Sequence, residues 1–228
     1  MDQNVADAII KSTLFAGLAR CDLDLAVKKL DVYPSSYEDG ELLLSLGSIC
    51  RNAGIVVSGR VRIDFYDEAG NPSTIAKLGP GGSFGEAIAC SGDPSLVQVQ
   101  AVGPTQVLWI DIPRIMSAEY MAGSPYAGMV MVNAMRLLAR KNMMLNRKMQ
   151  MLAQKRLRDR IKLYLLQRER QDAANDQVDF EMTRAALAKY LSADRSSLSR
   201  ELGKLRDEGV LALEGNTIRV LDRSFLET

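Results

Sequence analysis

Residues 128–166 constrain this 228-residue chain more than any other stretch. Read in sevens, they place Met131, Leu138, Leu145 and Leu152 on one line, with Met135, Asn142 and Met149 four residues after the first three. That is an a/d seam over three heptads with one polar d position. No proline or glycine interrupts it after Gly128, and its Leu, Met, Ala, Arg, Lys and Gln residues are good helix formers. Roughly 35 helical residues at about 1.5 Å each exceed 50 Å, too long for one layer of a small domain. Two readings are open. The seam is either a parallel dimer helix joining the segments on its two sides, with Asn142 fixing register, or a long core helix inside one domain.

The chain has room for one large domain or two modest ones. No segment approaches 18 uncharged apolar residues and the N-terminus lacks a signal-peptide pattern, so no membrane partner and a cytoplasmic location are expected. Cys21, Cys50 and Cys90 are odd in number and unclustered, which suits reduced thiols. Charge is divided unevenly. Residues 1–125 hold 9 Lys/Arg against 15 Asp/Glu, whereas residues 126–228 hold 20 against 13. The second part is therefore the one suited to a polyanion. Histidine is absent, which removes Ser–His–Asp and Cys–His catalysis, His-ligated haem and most zinc sites. With no nucleophile–base pair and no metal-ligand cluster, an enzyme is not expected.

Residues 5–31 read as short helices. From Tyr33 the texture changes to short runs at 42–44, 54–57, 61–65, 74–76, 97–99 and 107–110, separated by Gly, Pro, Asp and Asn. This spacing describes an antiparallel sandwich or barrel. The last strand is expected to end at Pro113, with the long helix coming next. Gly81-Gly82-Ser83-Phe84-Gly85-Glu86-Ala87 could point backbone N–H groups at an anion. Taken alone, such a turn is more often a plain corner of a β-protein.

The order Tyr37, Gly40-Glu41, Gly54 to Gly59 with Val61, Gly70-Asn71, Gly79 and Phe84-Gly85-Glu86 resembles that of cyclic-nucleotide-binding domains. Over roughly residues 10–222 the chain resembles the Crp/Fnr family of bacterial transcription regulators, in which such a β-roll is the sensor. The resemblance implies an effector pocket at Phe84, Gly85, Glu86, Ser95, Leu96, Val97, Leu145 and Asn146. Two departures argue against cAMP. The family's cyclic-nucleotide binders carry an Arg about ten residues after Phe-Gly-Glu, whose fork pairs the phosphate. Here that stretch is Asp93-Pro94-Ser95-Leu96-Val97-Gln98. Leu145-Asn146 stands where the catabolite activator's adenine-reading Thr–Ser pair falls. Three scattered cysteines cannot supply the iron–sulfur ligation of other members. No cofactor is assigned. The expected effector is an unidentified small anionic or aromatic metabolite, and Cys90 is either a thiol sensor or a buried inert cysteine.

The C-terminal part is more specific. A basic flank crowds at 155–162, where it is expected to face phosphate, and the heptads run out at a hinge near 153–156. A second helix is expected from Leu157 to Arg168, then a polar loop at 171–176 and a short strand at 178–182. Thr183 reads as an N-cap for 184–191, Ser192-Ala193 as a turn, and Asp194 as the cap of a second helix, 195–208, stopped by Gly209. Leu187, Leu191, Leu198, Leu202 and Leu205 then face a core. This is a helix-turn-helix, succeeded by a wing hairpin around Glu214-Gly215-Asn216. Arg195 and Arg200 are candidate readers of guanine, and Ser196 and Ser199 stand close to base edges. Thr183, Arg184, Ser197 and Lys204 are placed for phosphates. The family commonly has Glu where Ser196 stands, which puts its usual half-site core in doubt.

The expected architecture is α+β: an antiparallel β-roll over 1–125, a dimerisation helix over 126–155 and a winged helix-turn-helix over 156–228. The expected function is a homodimeric regulator of double-stranded, palindromic operator DNA, controlled by a small effector other than cAMP and meeting RNA polymerase if it activates. Two alternatives are a thiol-responsive regulator using Cys90 and a cyclic-nucleotide-binding-like scaffold without DNA binding.

Overall fold

The computed structural model describes residues 3–171, 183–215 and 217–227. The chain forms two compact units, Met1–Lys141 and Asn142–Thr228.

In the first unit, helix α1 (Gln3–Lys11), two 3-10 turns and α2 (Leu23–Val27) precede the strands. These are β1 (Tyr33–Tyr37), β2 (Leu42–Leu44), β3 (Asn52–Ser58), β4 (Val61–Tyr66), β5 (Pro72–Leu78) and β6 (Ser83–Phe84). Helix α3 (Glu86–Ser91) comes next, then β7 (Gln98–Ala101) and β8 (Thr105–Asp111). The strands pair antiparallel in two four-stranded sheets, ordered β1-β8-β3-β6 and β2-β7-β4-β5. Alternation along a strand sends neighbours to opposite faces. On β3 and β8, Ala53, Ile55, Val57, Leu108 and Ile110 pack with the helices, whereas Val56, Val107 and Trp109 fill the space between the sheets.

The last strand ends at Asp111, and two short helices intervene before the long one. Asp111 accepts from the Arg114 N–H and starts α4 (Ile112–Ile115), with Pro113 in the first turn. Proline favours that position because its missing N–H is not needed there. Ser117 likewise caps α5 (Ala118–Gly123).

Helix α6 (Ala127–Leu152) is 26 residues long, and α7 (Leu157–Gln171) begins after a break at 153–156. The expected hinge is present, so the continuous helix through residue 166 is not. At the break the Gln154 N–H reaches Met151 O, a tightened last turn, and Arg160 Nε donates to the freed Gln154 carbonyl at 2.9 Å. Ala127, Val130, Asn133 and Leu137 form the buried stripe of α6, with Asn133 Nδ2 donating to the Leu14 and Ala16 carbonyls. The heptad seam lies on a different side. Met135, Asn142, Leu145 and Met149 are exposed, and Met131, Leu138 and Leu152 half-buried.

The second unit contains α7, α8 (Arg184–Tyr190), α9 (Arg195–Asp207), the hairpin β9 (Leu211–Glu214)–β10 (Thr217–Val220) and α10 (Ser224–Glu227). Its core gathers Met151, Ile161, Tyr164, Leu165, Leu187, Leu191, Leu198, Leu202, Leu205 and Ile218. Gln171 closes α7; the rest of the expected loop and the strand at 178–182 lie outside the described residues.

Candidate nucleic-acid interface and sensor site

Helix α8 begins where expected, with Thr183 Oγ1 accepting from the Ala186 N–H at 3.2 Å. It ends in a Schellman turn. Ser192 takes a left-handed φ of 49°, the Ala193 N–H donates to Ala188 O, and the Ser192 N–H donates to Lys189 O. Asp194 occupies the N-cap position of α9 with extended backbone, but its side chain makes no capping bond, which corrects that expectation. Gly209, at φ 75°, stops the helix.

Burial of Leu198, Leu202 and Leu205 fixes which side of α9 faces outward. Arg195, Ser196, Ser199 and Arg200 are exposed together on that side, while Ser197 is half-buried. Arg200 Nη2 touches Ser197 Oγ at 3.5 Å, and Lys204 lies 3.8 Å from Glu201. An exposed pair of that length is weak and leaves the Lys204 ammonium available. Arg184 is placed differently. Its Nη2 donates to the Gly215 carbonyl at 3.3 Å, and burial pushes its pKa down. Its Nη1 is buried without an acceptor among the described residues. Arg184 thus supports the wing turn as well as lying at the start of α8.

The basic crowding at 155–162 is largely structural, contrary to the sequence expectation. Arg158 pairs bidentately with Glu208 and approaches Glu201 at 3.8 Å. Arg160 Nη1 donates to the Leu191 and Ser192 carbonyls at 3.1 and 3.2 Å, holding the helix-turn-helix turn. Lys162 stands over the Phe225 ring at 5.9 Å. Lys155 and Arg156 remain exposed. Charge density along the sequence carried no sign of these inward contacts, because their acceptors come from distant segments.

In the first unit, the Phe84 ring is 1% exposed and packs edge-on to Trp109, centroids 5.4 Å apart. Gly85, at φ 83°, turns the chain into α3, whose first residue is Glu86. Glu86 is 5% exposed. Its Oε2 accepts from Lys141 Nζ at 2.7 Å, and the same ammonium donates to Ser83 O at 2.8 Å. Lys141 was missing from the expected site; its partners are 55 and 58 residues away, beyond any local pattern.

Ser95 is buried and committed to its own loop. Its Oγ donates to Val97 O at 2.7 Å, while its backbone pairs with Gly47 and Ser48. Leu96 is 74% exposed and Val97 half-buried. Leu145 and Asn146 belong to the second unit, where both are exposed and Asn146 Nδ2 donates to Asn142 Oδ1 at 2.8 Å. Cys90 is exposed rather than buried. Partial burial, then the charge of Glu86, pushes its thiol pKa up, which disfavours the reactive thiolate. Among the described residues there is no group of three or more potential metal ligands, and no helix long and apolar enough to cross a membrane.

An antiparallel β-roll with a long helix and a winged helix-turn-helix defines the architecture of a DNA-binding transcription regulator. Residues 34–117 match the cyclic nucleotide-binding domain, and residues 159–228 match the Crp-like helix-turn-helix domain. The chain is 29% identical over 216 residues to the cyclic AMP receptor protein of Thermus thermophilus, covering 95% of each. Its fold is similar to the crystal structure of the Thermus thermophilus catabolite activator protein, with a TM-score of 0.55 and 28% identity over 95% of this chain and 97% of that one. It is also similar in fold to the c-di-GMP responsive global regulator CLP of Xanthomonas campestris, with a TM-score of 0.63 and 19% identity over 90% of this chain and 100% of that one. The chain belongs to the Crp/Fnr family of transcription regulators.

Proposed function

We propose that the protein is a homodimeric, sequence-specific regulator that inserts α9 of each subunit into the major groove of a palindromic operator. The observation that carries this reading is the division of α9: Leu198, Leu202 and Leu205 are buried, while Arg195, Ser196, Ser199 and Arg200 are exposed. Arg195 and Arg200 read guanine O6 and N7, and the two serines lie against neighbouring base edges. Thr183, Ser197 and Lys204 contact phosphates, which set position without specifying sequence. Arg184 both supports the wing and reaches the backbone.

Residues 1–125 form the regulatory part, 126–155 the dimerisation helix and 156–228 the DNA-binding part. The exposed Met135, Leu145 and Met149 support dimerisation along the seam completed by Met131, Leu138, Asn142 and Leu152. The regulatory signal acts through the β-roll and is not cAMP. The segment 93–98 has no Arg, and the only cation bonded to Glu86 among the described residues is Lys141.

Arg200→Ala tests the groove assignment. It is expected to cost about 1–3 kcal/mol on the matched operator and to relax one base position. Equal losses on operator and random DNA, read by fluorescence anisotropy, would assign Arg200 to phosphate instead.

A further inference from the structure

We propose that Lys141 is the built-in counter-ion of the sensor turn. Its ammonium fastens Phe84-Gly85-Glu86 to helix α6 without a ligand, so the ligand-free protein is the form that binds its operator. The inference rests on the reading of the chain as a DNA-binding regulator.

Between Lys77 and Arg114 the sequence has no Lys or Arg, so the turn and the segment after it bring no cation of their own. A carboxylate as buried as Glu86 needs a compensating charge. Lys141 supplies it through Oε2 and uses a second N–H on Ser83 O, so one side chain holds both the strand end and the helix start around Gly85. The segment after α3 offers nothing in exchange. The Ser95 hydroxyl is bonded to Val97 O, and Leu96 points an apolar side chain to solvent. An incoming anion would have to share Lys141 with Glu86. It would also meet Glu86 Oε1, a buried oxygen without a partner among the described residues. The neutralised pair therefore disfavours phosphate at this turn.

Lys141 lies four residues beyond Leu137 and continues the buried stripe of Val130, Asn133 and Leu137 by one turn. The ion pair thus extends the docked length of α6 on the β-roll. The same helix runs on to Leu152, which packs on the core of the second unit. A ligand seated at the turn would compete with Lys141 for Glu86 and would release DNA rather than recruit it.

The test uses the full chain, purified free of nucleotide, with a DNA fragment selected from genomic DNA in the absence and presence of excess cAMP. The wild type is expected to bind without ligand and to change less than about twofold with cAMP. Lys141→Met and Glu86→Gln each weaken operator binding about tenfold or more, while Lys141→Arg retains it. Hydrogen exchange separates loss of the tie from loss of the fold. Amides at 137–145 exchange faster in Lys141→Met, while those of β3 and β8 are unchanged. Wild-type binding that requires cAMP, or Lys141→Met binding as tightly as wild type, overturns the proposal and leaves the regulator reading standing. Absence of sequence-selective binding with and without cAMP overturns the proposal alone; the regulator reading falls when, in addition, replacing both Arg195 and Arg200 by Ala leaves DNA binding unchanged.

Discussion

Gly54 faces Phe84 in the β3–β6 ladder, and a Cβ built at Gly54 would fall within 3.0 Å of three Phe84 ring carbons. Glycine in a central strand weakens it, and here it marks the close approach of that ring. Gly54→Ala is expected to destabilise the protein by about 1–3 kcal/mol through overpacking, read as a lower denaturant midpoint. An unchanged midpoint would mean that Phe84 moves aside at no cost. The sequence places Gly54 in a strand and Phe84 in a turn, but their contact joins residues far apart in the chain and is not visible in either pattern. The same limit applies to Glu86 and Lys141, and to Arg158 and Arg160. Short-range chemistry was legible: Thr183 caps α8, and Gly209 ends α9.

At the scale of elements, α7 and α9 are joined by the Arg158–Glu208 pair, with Glu208 at the C-cap of α9. A carboxylate at that end opposes the helix dipole, and the guanidinium offsets it. The hydrogen bond from Arg158 holds the Glu208 carboxyl below its ordinary pKa of 4.5. A depressed carboxyl contributes stability above its unfolded value, and the contribution is lost as pH falls through the folded value. Glu208→Gln is therefore expected to melt lower than wild type at neutral pH, and the difference should shrink as pH drops below about 4.5. A difference independent of pH would assign the effect to packing. The elements themselves were largely readable. Alternating runs became strands, and the spacing of Leu187, Leu191, Leu198, Leu202 and Leu205 became a core. Helices α4 and α5 are not legible in the sequence, because Pro113 ends a strand and opens a helix equally well and both helices are too short to show a helical period.

The molecule as a whole carries an unpartnered apolar row on α6. Met135, Leu145 and Met149 are 65%, 56% and 68% exposed, in a row interrupted by Asn142. Such a row is costly in water, and the proposed dimer would cover it with a second copy of the helix, with Met providing an adaptable surface. Leu145→Arg combined with Met149→Arg is expected to raise the dimer dissociation constant at least about tenfold. Analytical ultracentrifugation reads the change, and an unaltered dimer would place the interface elsewhere. The two-fold symmetry of such a dimer would require matching symmetry in its DNA site.

The function proposed above rests on the reading of a palindrome by the exposed residues of α9. Selection of genomic fragments by the purified, ligand-free protein at fixed moderate salt tests it most directly. The expected result is one inverted repeat with half-sites about one helical turn apart, lost when Arg195 and Arg200 are both replaced by Ala. Retention of fragments without sequence preference, equal in that double variant and fading with salt, would contradict it.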